Sequence, residues 1–200
     1  AGAAANARID LALRMGGLLL AIAVIAGVFI AINPNLANLN MGASLLRSMS
    51  SVAIMALGLT LVIVVGEIDL SFGATYGLAV NALAVMWLFG GIPVYLAIIL
   101  AVLVGTAVGL FNGLLVTRLN IPSFIVTLGS YNLLYGISLW VSNTATFTPA
   151  YPPPDVTIPD AELDFFVGLT QSFGSFGLSL EVVWMFGIAL VVAFLLHRSL

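Results

Sequence analysis

Residues 48–66 and 70–117 of this chain carry no charge, and only Glu67 and Asp69, with Ile68 between them, interrupt the run. A water-soluble domain carries about 25% charged residues; here 6% are charged and 62% are hydrophobic, with a mean hydropathy of +1.23. A surface of polar groups cannot be built from that composition, so lipid must be the solvent. The basic residues are all arginines, Arg8, Arg14, Arg47, Arg118 and Arg198, and the net charge is -3. That charge does not suit nucleic acid. The absence of cysteine excludes a disulfide framework, a thiol nucleophile and a thiolate metal site.

A spanning helix needs about 20 mostly apolar residues. Six runs qualify: residues 15–32, 50–65, 72–89, 94–116, 121–142 and 181–197. Arg8 and Arg14 ahead of the first run give it the flank of a membrane anchor. Asn33-Pro34-Asn35 ends that run. Residues 33–47 read as a polar connector, with a short interfacial helix from about Leu36. Gly90-Gly91-Ile92-Pro93 is a turn. Pro122 stands at the start of the fifth run, where a helix tolerates proline. Residues 143–180 form a connector with Pro149, Pro152, Pro153, Pro154 and Pro159, and with Asp155, Asp160, Glu162 and Asp164.

Cytoplasmic ends collect arginine and lysine. With two spans between residues 50 and 89, Arg8, Arg14, Arg118 and Arg198 all fall inside and only Arg47 is misplaced. With one span, Arg118 and Arg198 move outside. The expected fold is therefore an all-α polytopic membrane bundle of about six transmembrane helices. Residues 1–200 are expected to form a single transmembrane domain with a cytoplasmic tail over 1–14 and an external acidic, proline-rich loop over 143–180. Segment 67–73 becomes a hairpin or broken segment between the second and third spans.

A carboxylate in apolar surroundings is costly unless paired, hydrated or capping a helix. Asp69 or Ser71 can cap the helix that starts near Phe72. Glu67 is free to face a polar path, meet an arginine or reach the interface. Asn81, Asn112, Thr127, Ser130, Tyr131 and Asn132 are polar residues within apolar runs. They act as hydrogen-bond glue between helices or line a path for a neutral, hydroxyl-rich solute. Gly105, Gly109 and Gly113 recur at the spacing that lets helices pack closely. No catalytic residue is expected. His197 is the only histidine and sits at a membrane edge, Ser71 has no local base, and no Walker-type phosphate loop or metal motif is present.

Gly66-Glu67-Ile68-Asp69-Leu70-Ser71-Phe72-Gly73-Ala74, preceded by Gly58-Leu59-Thr60-Leu61-Val62-Ile63, resembles a signature of ribose-type ABC transporter permeases. The stretch from Asn112-Gly113-Leu114-Leu115-Val116-Thr117-Arg118 to Pro122-Ser123-Phe124-Ile125-Val126-Thr127-Leu128-Gly129 is similar to a second one. Glu67 stands where many members carry glycine, Phe72 replaces a small aliphatic residue, and Tyr131-Asn132 replaces a methionine-containing stretch.

The resemblance implies a bacterial inner-membrane permease subunit that is not itself an enzyme. ATP and Mg would sit on separate cytoplasmic ATPase subunits, and this chain would hold no cofactor or metal. An external solute-binding protein would deliver ribose or a related monosaccharide to a pair of permease subunits, a homodimer by expectation, working by alternating access. The path or hairpin candidates are Glu67, Asp69, Ser71, Asn112, Phe124, Thr127 and Asn132. The acidic loop 155–164 would face the binding protein. The chain would be the N-terminal part of the permease, with the ATPase-contacting loop beyond Leu200. The alternatives are a branched-chain amino-acid permease of the same superfamily and an ion-coupled transporter using Glu67 or Asp69. A non-transporting membrane scaffold whose carboxylates only cap helices is a third.

Overall fold

A computed structural model describes residues 2–147, 152, 156–173 and 178–199. All six apolar runs are helical. Helix α1 covers Gly2–Ile32, α2 Leu39–Val64, α3 Phe72–Leu88, α4 Val94–Leu119, α5 Ser123–Ser142 and α7 Leu180–Ser199. A 3₁₀ turn, Pro34–Ala37, joins α1 to α2, and the last connector carries a short helix α6, Asp160–Gly168. Two-residue strands β1 (Ser172–Phe173) and β2 (Leu178–Ser179) pair antiparallel ahead of α7. Among the described residues, four helices are long and apolar enough to cross a membrane, α2, α4, α5 and α7; residues 16–32 and α3 are shorter apolar helices.

Helix boundaries follow local chemistry. Asn33 and Asn38 each accept a backbone N–H two residues on, at 3.2 and 3.0 Å, and so start the 3₁₀ turn and α2. Pro93, Pro122 and Pro159 directly precede α4, α5 and α6, where a missing N–H costs nothing. Asn120 and Asn143 end α4 and α5 in the left-handed conformation, which asparagine tolerates. Gly66 closes α2 at φ +84°, where a side chain is strained. A Cβ at Gly90 would sit 2.7 Å from the Met86 carbonyl oxygen, so the tight turn after α3 needs glycine.

Two expectations are corrected. The polar connector stops at Asn38, because that residue caps α2 and nothing from Leu39 to Arg47 breaks a helix; α2 is a 26-residue helix containing Arg47 rather than a run beginning at Ser50. The connector before α7 is not structureless, since Pro159 starts α6 and a small hairpin follows. Asp155, Pro149, Pro153 and Pro154 lie outside the described residues.

α3 packs against both α4 and α5, while α2 packs against α7. One core cluster, Trp87, Leu88, Val94 and Ala97, is covered by Phe147, Val156, Ile158 and Phe166. A second, Ala74, Leu78 and Leu134, lies further along α3 with Val104, Val108 and Ile137 around it. Most other large apolar side chains are exposed, among them Leu18, Phe29, Ile63, Val102, Phe111 and Trp140, as a lipid-facing surface requires. Arg47 meets Glu181 at 3.4 Å and ties the first half of α2 to the start of α7.

Candidate functional site: a buried polar seam between two clefts

The break between α2 and α3 folds back on itself. Asp69 Oδ1 accepts the Ser71 backbone N–H at 2.7 Å and the Ser71 hydroxyl at 2.6 Å. Asp69 therefore closes the turn ahead of α3, and the Ser71 side chain is aimed away from the helix end. Ser71 is fully buried. Its oxygen accepts Asn112 Nδ2–H from α4 at 2.9 Å, and Asn112 Oδ1 accepts the Ser130 hydroxyl of α5 at 2.5 Å. Asn112 and Ser130 are themselves buried. One continuous chain of hydrogen bonds thus runs from Asp69 through α3 and α4 to α5. Buried polar groups need partners, and here each hydroxyl and the amide has one.

The same break is fastened to α5 by its backbone. Ile68 N–H donates to Ser123 Oγ at 3.2 Å. The Thr127 hydroxyl donates to Ser123 O at 2.8 Å and lies 3.3 Å from Ile68 O. Further along, Asn81 Nδ2–H donates to Ser138 Oγ at 2.7 Å. The buried side of α5 is accordingly Val126, Thr127, Ser130, Leu134, Ser138 and Ser142, mostly small polar residues.

Two clefts flank this seam. One, about 460 Å³, lies between α2, α3 and α4, with Leu59, Tyr76, Ala79, Val102, Gly105 and Val108 among its apolar walls and Asp69, Ser71 and Asn112 at its polar end. The other, about 280 Å³, has Glu67, Asp69, Asn112, Val116, Ser123 and Thr127 on its wall. Val62, Asp69, Gly109 and Asn112 line both.

Of the residues picked from the sequence, Asp69, Ser71, Asn112 and Thr127 converge. Glu67 is half-buried beside the Asn120–Ser123 turn, and its carboxylate has no hydrogen bond or ion pair among the described residues. Phe124 is exposed, away from the seam. Asn132 is exposed and donates to Leu128 O of its own helix at 2.9 Å. A Cβ at Gly105 would stand 3.9 Å from the Thr75 methyl, whereas Gly109 and Gly113 have open space above them and border the clefts. Ser130, expected as interhelical glue or path lining, joins the seam though it is not among the path candidates, and Ser123 is a further addition. The signal was available for Ser130, because 126, 130, 134, 138 and 142 recur at every fourth position and mark one helical face. No side-chain pattern pointed to Ser123.

A family model described as "Branched-chain amino acid transport system / permease component" matches residues 41–199. The chain belongs to this ABC permease family. Both signature stretches fall inside the match, and their junction is the Asp69–Ser71–Asn112 contact. The permease chain is also similar to the autoinducer 2 import system permease LsrD of Enterobacter sp. strain 638, at 42% identity over 121 residues, 60% of this chain and 37% of that protein. The protein of the same name from Escherichia coli K12 is 41% identical over 130 residues, 65% of this chain and 38% of that protein. The Shigella flexneri LsrD gives the same figures. The chain thus spans less than two fifths of the length of these relatives. No solved structure matches.

Proposed function

We propose that this chain supplies part of the membrane path of a binding-protein-dependent ABC importer for a monosaccharide or similar neutral polyol, ribose being the reference case. The observation that carries this is the meeting of the two signature stretches, 41 residues apart at Ser71 and Asn112, in one polar seam bordered by two clefts. The relatives named for import of autoinducer 2 favour a sugar-like solute. Separate ATPase subunits would bias two permease states, since a partner shifts an equilibrium only by binding one state better than the other.

The proposed orientation puts the break at Glu67 and the Asn120–Ser123 turn on the cytoplasmic side, with Arg118 and Arg198, and puts α6 outside. Arg47, the one arginine against the rule, has its charge met by Glu181. A path role for Glu67, pairing with a second permease subunit and docking of a binding protein on the acidic connector belong to the same proposal.

The description of the family model favours a second reading, a branched-chain amino-acid importer. Uptake by the intact permease with its ATPase and binding protein separates the two. The sugar reading expects ATP-dependent uptake that competing pentoses reduce and leucine does not. Competition by leucine alone selects the second reading, and uptake driven by a proton gradient without ATP overturns both.

A further inference from the structure

The hydrogen-bond chain has a direction, and Asp69 sets it. A carboxylate only accepts, and a serine hydroxyl has one proton to give. The Ser71 proton is committed to Asp69 Oδ1, at 2.6 Å. Ser71 Oγ must then accept from α4, so Asn112 has to turn its NH₂ towards it. That leaves Asn112 Oδ1 facing α5, where the Ser130 hydroxyl must donate. If the amide were reversed, Ser71 would have to give its proton to Asn112, and Asp69 would lose a donor. Ser130, by donating to Oδ1, holds the amide against that reversal.

The consequence lies at Asp69. Both local donors converge on Oδ1, and Oδ2 has no protein partner among the described residues. The residue is half-buried and lines both clefts, together with Val62, Gly109 and Asn112. A solute passing between the clefts would pass this carboxylate. An open carboxylate oxygen accepts a hydrogen bond from a hydroxyl, and such a bond to an ionised acceptor is stronger than one between neutral groups.

We propose that Asp69 binds a hydroxyl of a neutral polyol through Oδ2 at the neck between the two clefts, with Asn112 and Ser130 as positioning residues that fix the carboxylate for it. This rests on the path reading above. The test uses the intact permease with a single cysteine at Val62, which faces both clefts, and any cysteine beyond this segment replaced. The measured quantity is its rate of labelling by a small water-soluble thiol reagent. The probes are ribose, xylose, galactose, glycerol and leucine at high concentration.

The expectation is that at least one polyol slows labelling and leucine does not. Asp69→Asn keeps the acceptor for Ser71, and so the turn, but replaces one carboxylate oxygen by a donor. It should raise the polyol concentration needed for protection by about tenfold, the value of one charge-assisted hydrogen bond, each form being compared with its own solute-free labelling rate. Ser130→Ala should raise it about threefold, and Ser130→Thr, which keeps the hydroxyl, should restore it. Protection indifferent to Asp69→Asn overturns the assignment and leaves the path reading standing. Equal loss of protection in Ser130→Ala and Ser130→Thr removes the positioning role. If no polyol protects the Asp69 form, or leucine alone does, the path reading falls together with this one.

Discussion

Two carboxylates at opposite ends of the α3–α4 hairpin, Asp69 and Glu162, are used differently. Near the start of α3, Asp69 bonds to a residue two places along the chain and leaves an oxygen facing the clefts. At the other end, Glu162 comes from a separate helix, α6. Its Oε2 accepts both the Trp87 indole N–H at 2.8 Å and the Val94 backbone N–H at 3.0 Å. Trp87 and Val94 are 5% and 0% exposed, so these donors have no water to turn to. Phe166 of α6 adds a ring contact to Trp87 at 5.0 Å. A carboxylate bonded locally can be spared for another task, whereas one that joins distant segments is structural. Glu162 belongs to the acidic loop expected to face a binding protein, and its carboxylate is engaged inside the fold.

That contrast can be broken or sharpened by substitution in the intact permease, followed by thermal unfolding in detergent or nanodiscs. Glu162→Ala should be the most damaging, lowering stability by about 3 kcal/mol, because it strands two buried donors. Trp87 emission should shift to longer wavelength as α6 loosens. An unchanged spectrum and melting temperature would show that α6 is not held by this carboxylate.

Next comes Asn112→Leu, which fills a similar volume but leaves the Ser71 and Ser130 hydroxyls without their interhelical partner; we expect a loss of about 2 kcal/mol. A neutral result there would mean that the seam contributes nothing to packing, and would weaken the distinction between glue and site. Asp69→Ala strands the Ser71 N–H and hydroxyl, but within a local turn that can rearrange rather than between two separate segments, and should cost about 1 kcal/mol, less than Glu162→Ala. The reverse ranking of these two would invert the comparison. Arg47→Ala should be smallest, below about 0.5 kcal/mol, since both partners of that pair are partly exposed. Insertion orientation, read by reagent access to cysteines at either end of α2, is the more sensitive readout for this residue.

Much of the architecture was legible because lipid imposes a simple rule. A chain that must satisfy its own backbone polar groups in hydrocarbon becomes helical wherever it is long and apolar. The six runs are therefore all helices. The turns at Gly66 and at Gly90-Gly91, and the starts after Pro93 and Pro122, were legible for an equally local reason, namely backbone conformations that few residues tolerate. Asn38 shows the limit of that method. A single capping side chain moved the start of α2 into a stretch that looked like a connector. α6 was missed because a nine-residue helix among prolines leaves little periodicity to read.

The site was legible only in part. Asp69, Ser71 and Asn112 stood out as polar residues in apolar surroundings, but Asn132 stood out on the same grounds and Phe124 through the second signature stretch, and both point elsewhere. Composition and hydropathy could determine that this chain is a membrane helix bundle with two carboxylates at a break, because those are one-dimensional properties. Only the tertiary structure decided which polar groups meet. The contacts that tie the helices together join residues far apart in the chain, as Ser71 with Asn112 and Glu162 with Trp87, and that choice depends on helix rotation and register, which emerge only when the helices pack.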